Sequence, residues 1–213
     1  LSDKNQNETL DWLIAQQFIP SYFNQIPEML NALPKGKNDS QNRTIVGGGT
    51  DLYVQKHAQL IDQNVDLISN TPNLNFIEIE NGVCTLGAGT TATDLIESDI
   101  FCSAIPRLKK HLKLVASSPI RNMATIGGNF VNASPIGDFT AFFLALNAKI
   151  KLTNKGQNRT IYLKDFYKGY KDLDKSPDEI ISTISFKLPT QDNHFNFEKV
   201  SKRIYLDIAS VNT

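Results

Sequence analysis

A chain of 213 residues, 40% of them hydrophobic, can bury the core of one large domain or of two small ones. Its 22 basic and 22 acidic residues cancel, so it lacks the basic excess that a nucleic-acid or anionic-membrane surface needs. No apolar run approaches the ~20 residues of a membrane span, and two cysteines, Cys84 and Cys102, are too few for a four-thiolate iron–sulfur cluster.

His57, His111 and His194 show no metal-ligand spacing with either thiol, so both cysteines read as packing residues. The polar start, residues 1–8, resembles neither a signal nor a transit peptide, which places the chain in the cytoplasm. Leu at position 1 suggests numbering that begins inside a longer product.

Residues 1–17 form a polar lead-in whose amphipathic patch, Leu10 to Ile14, suits either a docking helix or a linker end. Residues 24–33 predict a helix with Ile26, Met29, Leu30 and Leu33 on one stripe, ended by Pro34 and Gly36. Residues 43–46 predict a strand that runs into Gly47-Gly48-Gly49. Thr50 is expected to cap a helix carrying Leu52, Tyr53 and Val54, and residues 65–69 form a second strand.

Asn81-Gly82 is a strong two-residue hairpin signal. It sets Ile79 opposite Cys84, Ile77 opposite Leu86 and Glu78 opposite Thr85. Helices follow at 90–98 and 104–116, the latter with Leu108, Leu112 and Val115 in helical spacing. Asp138 opens an apolar helix over 139–147. Strands are expected at 150–153, 159–163, 179–188 and 196–203, the first two joined by Asn154-Lys155-Gly156. The sum is an α+β pattern.

The two glycine stretches carry the chemistry. Bare backbone approaches a flat or anionic ligand closely and points N–H groups at it. Two such stretches suggest one extended ligand held from two sides, which suits a dinucleotide. A strand, three glycines and a helix start bring donors and a helix dipole to one point, a phosphate site. The spacing is neither Gly-x-Gly-x-x-Gly nor a Walker loop, and a tight turn with positive φ explains the first stretch equally well. In the second stretch, Thr125 and Asn129 offer hydrogen bonds beside Gly127-Gly128. Asp138 reads as an N-cap or a ribose-binding carboxylate, and Arg121 as a partner for a phosphate or a carboxylate.

At these residues a family resemblance emerges. Ile120-Arg121-Asn122 through Asp138, with Val46 to Leu52, resembles the FAD-binding domain of molybdenum hydroxylases. That family includes the small subunit of bacterial xanthine dehydrogenase and the medium subunit of carbon monoxide dehydrogenase. Lys199 to Arg203 with Asp207-Ile208-Ala209 resembles its passage into a C-terminal subdomain.

The resemblance covers roughly residues 20–213. It implies a two-subdomain FAD-binding fold of the vanillyl-alcohol oxidase/CO dehydrogenase flavoprotein type, with a lead-in at 1–19. A small subdomain would span 20–75, a larger one 76–190, and a truncated C-terminal subdomain would begin at 191–213. The resemblance implies non-covalent FAD, since neither glycine stretch contains a His or Cys anchor. Gly47, Gly48, Gly49, Thr50 and Asp51, flanked by Val46 and Leu52, would cradle the pyrophosphate. Thr125, Gly128, Asn129 and Asn132 would line the phosphate and ribityl path, and Asp138 the adenosine side. Ile181 would touch adenine or flavin, and Lys199 would lie near the flavin. Leu114-Val115-Ala116 replaces the aromatic that some relatives place beside the ring.

The resemblance also implies an electron-exit module with no catalytic acid or base of its own. Molybdopterin would sit on a large-subunit partner and the 2Fe–2S clusters on another domain or subunit. Electrons would pass through FAD to NAD, and xanthine dehydrogenase is the leading member. The alternatives are a medium subunit of a carbon monoxide or aromatic-CoA dehydrogenase, a flavin-free scaffold and a stand-alone flavin oxidoreductase.

Overall fold

The computed structural model describes residues 6–32, 43–68, 71–105, 107–190, 192, 194–203 and 206–213. The chain divides into two units, residues 1–41 and 42–213. The boundary expected at 75/76 therefore falls inside the second unit.

In the first unit the amphipathic patch lies within α1 (Gln6–Ala15). Pro20, with its φ fixed at −65°, leads into a 3₁₀ turn at Ser21–Gln25, and α2 (Ile26–Ala32) follows. The rings of Trp12 and Phe18 lie 5.7 Å apart. Met29 and Leu30 of the expected stripe are exposed. Leu33, Pro34 and Gly36 lie outside the described residues.

The second unit opens with the anticipated strand–helix–strand. β1 (Arg43–Val46) and β2 (Asn64–Leu67) pair in parallel across α3 (Leu52–Leu60). Thr50 does not cap α3. Asp51 occupies the N-cap position and makes no cap hydrogen bond, because its carboxylate accepts from Gln55 Nε2 at 2.7 Å. Ser69, the expected end of the second strand, is outside the described residues.

The hairpin β3 (Ile77–Glu80) to β4 (Val83–Gly87) has the register anticipated for an Asn-Gly turn. Asn81 and Gly82 both take positive φ, 49° and 74°. α4 (Ala92–Glu97) starts in a reciprocal capping box between Thr91 and Asp94. Ser98 closes this helix, its N–H donating to Asp94 O at 3.0 Å, and its side chain caps a further one, α5 (Asp99–Ala104). The helix expected over 104–116 is only α6 (Leu108–Leu112), because Ile105, the residue before Pro106, is extended.

Then come α7 (Ser118–Met123), α8 (Ile126–Asn132) and α9 (Asp138–Ala145). β5 (Lys149–Asn154) turns through Lys155 and Gly156 into β6 (Gln157–Tyr162). α10 (Leu163–Phe166) leads into a short hairpin, β7 (Tyr167–Gly169) with β8 (Asp172–Leu173). β9 (Ile180–Lys187) inserts between β4 and β5 and completes an antiparallel sheet in the order β3-β4-β9-β5-β6.

The α8 and α9 phenylalanines Phe130, Phe139, Phe142 and Phe143 share one buried cluster with Leu86, Ile150, Leu152, Ile184 and Phe186 of the strands. The strand expected over 196–203 shrinks to β10 (Lys199–Val200), paired with β11 (Val211–Asn212). Before it, Phe195 and Phe197 turn onto the core against Phe142, which takes that stretch out of a ladder.

Candidate functional site

The first glycine segment lies between β1 and α3. Val46 is buried, and the chain then reverses through Gly49, whose φ of +68° strains any side chain. The N–H groups of Gly47, Gly48, Gly49 and Thr50 donate to no protein atom among the described residues. Four successive unused main-chain donors form a row suited to an anion.

The second segment is not a turn. Gly127 and Gly128 occupy the first turn of α8, which Thr125 caps: its Oγ1 accepts from Gly128 N at 3.1 Å. The other donors are also engaged within the fold. Ile126 N donates to Thr90 O at 3.0 Å, Gly127 N to Ala88 O at 2.9 Å, and Asn129 N to Thr125 O at 3.0 Å.

The two segments meet. A Cβ at Gly48 would overlap the carbonyl of Met123, and one at Gly47 would overlap Thr125 Oγ1. Of the glycines from 47–49 and 127–128, only Gly49 needs positive φ; Gly48 is small because the Met123 backbone packs on it, Gly127 because Ala88 does, and Gly47 and Gly128 because the Thr125 hydroxyl lies against them. Arg121 meets no carboxylate among the described residues. Its Nη1 donates to the carbonyls of Val115 and Ala116 at 2.8 Å, and its Nη2 to Ser118 Oγ at 2.8 Å.

Both segments line a cleft of about 510 Å³. On its floor are Val46, Gly47, Gly48, Gly49, Thr50, Asp51 and Leu52, and beside them Thr125, Gly128, Asn129 and Asn132. Ile181, in the central strand β9, supplies an apolar patch. Three distant stretches of sequence are thereby gathered around one space.

Sequence reasoning missed a further part of the lining, where Lys171, Lys175, Pro177 and Glu179 come from the β7–β8 turn and the loop after β8. The signal available was the Ser176-Pro177-Asp178 turn chemistry, which marks a loop but not what it faces. Arg159 grips Glu179 in a fork, Nε to Oε1 at 2.7 Å and Nη2 to Oε2 at 2.9 Å. With Ser176 N–H on Oε2 as well, the Glu179 carboxyl is held down to about 2.

Asp138 and Lys199 do not line this cleft. Gly137, not Asp138, is the N-cap of α9; Asp138 is its first helical residue. Its carboxylate pairs with Lys199 Nζ at 2.8 Å and accepts from Asn212 Nδ2 at 2.8 Å. The pair is nearly buried, at 12% and 6% side-chain exposure. Lys199 also donates to Leu114 O at 3.0 Å, within the stretch that lacks an aromatic.

Cys84 sits in the core, and burial pushes its thiol up to about 12. Cys102 donates to Ile96 O at 3.2 Å. Among the described residues no cluster of His, Cys, Asp and Glu is arranged to hold a metal, and no helix is long and apolar enough to cross a membrane.

The family described as the FAD binding domain in molybdopterin dehydrogenase matches residues 16–190. The glyceraldehyde dehydrogenase medium chain of Sulfolobus acidocaldarius is 28% identical over 178 residues, 83% of this chain and 63% of that one. The carbon monoxide dehydrogenase medium chain of Afipia carboxidovorans is 28% identical over 162 residues, 76% and 56% of the two chains. The xanthine dehydrogenase FAD-binding subunit of Escherichia coli O157:H7 is 28% identical over 186 residues, 81% and 60%. The crystal structure of a Cu,Mo-CO dehydrogenase in its cyanide-inactivated form matches with a TM-score of 0.73 at 26% identity, covering 81% of this chain and 60% of that one. The chain thus spans between 56% and 63% of the length of these relatives.

Proposed function

The chain belongs to the family of FAD-binding domains of molybdopterin dehydrogenases, and from that premise we propose that it is the flavin-bearing electron-transfer module of a molybdenum hydroxylase. The observation that carries the reading is the row of free N–H groups from Gly47 to Thr50, opening into a cleft shared with Thr125, Asn129 and Asn132. Such donors fit a pyrophosphate. The volume, about 510 Å³, lies within the range of cofactor clefts.

In this reading Gly47, Gly48, Gly49 and Thr50 hold the pyrophosphate, with Val46, Asp51 and Leu52 fixing the bend. Thr125, Gly128, Asn129 and Asn132 flank the sugar and ribityl path, and Ile181 offers an apolar face to a ring. Asp138 and Lys199 enter as a brace between α9 and β10 rather than as direct contacts. Residues 20–75 and 76–190 are the small and larger subdomains, and 191–213 begin a third. When bound, FAD supplies the redox chemistry, taking electrons from 2Fe–2S clusters on another segment or chain and passing them to NAD.

Xanthine is the proposed substrate of the assembly, hydroxylated on a molybdopterin-binding large subunit in the cytoplasm. The Lys199–Arg203 and Asn129–Asp138 stretches and the 28% identity to a xanthine dehydrogenase FAD-binding subunit support this choice. A second reading, the medium subunit of a carbon monoxide dehydrogenase type, draws on the structural match to that enzyme.

The test is the visible spectrum of the purified chain after incubation with FAD, with acid-released flavin identified by mass. A yellow protein that releases all its FAD in acid is expected. A chain that takes up no flavin sinks the proposal. Purine-dependent dye reduction should require the reassembled partners, and turnover by the chain alone would refute the electron-exit role.

A further inference from the structure

The loop after β8 carries a cation whose surroundings are otherwise settled. Arg159 clamps both ends of this loop. It donates to the Asp174 carbonyl at 2.7 Å, lies 3.3 Å from the Asp174 carboxylate, and forks onto Glu179. Lys168 adds a contact to Asp174 at 3.6 Å. The clamp is closed further by Asp174 N–H on Phe166 O at 2.8 Å and Ser176 N–H on Glu179 at 2.8 Å. The loop's two gripped carboxylates are therefore neutralised by other residues.

Lys175, between them, has no ion-pair partner within 4.0 Å among the described residues. Among the described residues its Nζ donates only to the main-chain carbonyls of Ser176 at 3.0 Å and Pro177 at 3.4 Å. It is half-buried and lines the same cleft as the open donors of Gly47 to Thr50. Lys171, at the turn tip, and Lys56 also reach the cleft, but both are exposed and screened by solvent.

We propose that Lys175 is the counter-charge for the pyrophosphate of the flavin dinucleotide, held ready by the Arg159–Glu179 clamp in the lining of the cleft that Gly47 to Thr50 share. The proposal rests on the FAD reading of the cleft. Main-chain donors recognise the phosphate oxygens but leave a doubly negative group in a recess. A half-buried ammonium with no carboxylate within 4.0 Å among the described residues complements it. Burial lowers the lysine's pKa, with Glu179 and Asp178 pulling the other way, so the site holds a cation that an incoming anion would stabilise. Arg159 is a positioning residue here, not a contact.

The test uses the full chain titrated with FAD and with riboflavin, which lacks the pyrophosphate, across a series of salt concentrations. Lys175→Met should weaken FAD binding about ten-fold and flatten its salt dependence, while riboflavin binding stays unchanged. Lys175→Arg should restore most of the affinity. Arg159→Met should weaken FAD in the same salt-sensitive way and add little on top of Lys175→Met. If wild type binds FAD and Lys175→Met binds it equally with the same salt slope, the lysine proposal is overturned and the FAD reading stands. Equal weakening of FAD and riboflavin by Lys175→Met would also overturn it. A wild type that binds no FAD fails the underlying reading instead.

Discussion

Gly47–Gly49 and Gly127–Gly128 resemble one another in composition and differ in how their main chain is used. After β1 the N–H groups are left open, and the Cα atoms of Gly47 and Gly48 face inward onto Met123 and Thr125. In α8 the N–H groups are engaged with Ala88, Thr90 and Thr125. The difference comes from what precedes each pair. A strand ending in Val46 delivers the first segment, with no hydroxyl just before the glycines, whereas Thr125 caps the second into a helix. A glycine-rich stretch therefore signals close approach, but the ligand and the neighbouring backbone compete for that role.

The largest effects should come from substitutions that test this division. Gly48→Val places a branched side chain on the Met123 carbonyl, a backbone atom held within α7. We expect roughly 4 kcal/mol or more of lost stability and little folded protein, with or without FAD. At Gly128 a Cβ would meet only Thr125 Oγ1, at 2.8 Å. Gly128→Val should stay folded at a cost of about 1–2 kcal/mol and lose FAD, because its side chain enters the cleft. Thermal unfolding without flavin, followed by FAD titration, separates the two. Equal behaviour of the variants would break the contrast.

Asp138 closes the far end of the second region. Asp138→Ala leaves Lys199 buried without its partner, which costs about 3 kcal/mol. Since Gly137 is the N-cap, Asp138→Ser should not restore stability. Asp138→Asn, which keeps an acceptor for Lys199, should fall between. Urea midpoints give the order, and full rescue by Ser would return Asp138 to a capping role.

What was legible in the sequence was local. Asn81-Gly82 set a register that the structure reproduces pair by pair, because an Asn-Gly turn needs positive φ at both positions. The strand–glycine–helix–strand unit and the turn at Asn154-Lys155-Gly156 were readable for the same reason. The gathering of Gly47, Thr125 and Ile181 around one cleft followed from the family resemblance, not from periodicity.

What escaped was set by tertiary contact. Ser98 closes one helix and caps a second that directly follows it. Phe195 and Phe197 leave the ladder for the core. Arg121 and Arg159 hold main-chain carbonyls that no sequence pattern marks. Lys175 becomes notable only once Asp174 and Glu179 are engaged elsewhere.

Two threonines sharpen the contrast at smaller scale. Thr125→Ala removes the cap of α8 and should lower stability by about 1 kcal/mol whether or not flavin is present. Thr50 makes no side-chain hydrogen bond among the described residues and lines the cleft. Thr50→Ala should change stability by less than ~0.5 kcal/mol and show its effect only in FAD affinity. A Thr50 variant as unstable as the Thr125 variant would mean that both segments are structural alike.

Acid tests the core into which the second region is built. His111 is buried, its Nδ1 lies 3.1 Å from Phe197 O, and its Nε2 has no partner among the described residues. Burial lowers its pKa below 6.5. The hydrogen bond to Phe197 and the charge of Glu198 oppose that shift, and Lys110 and Arg107 add to it. A group harder to protonate when folded leaves the unfolded state binding more protons, so stability rises with pH in that range. The contribution is complete above about pH 6.5 and falls as the pH drops below it, by at most ~1.4 kcal/mol per pH unit. Glu179, held near 2, adds its own acid loss only below about pH 4.5. Between pH 7.5 and 5.5 the loss should therefore belong to His111, and a His111→Gln variant, though less stable at pH 7.5, should show a flat profile. Urea unfolding of both proteins at the two pH values decides it, and parallel slopes would remove His111 as the cause.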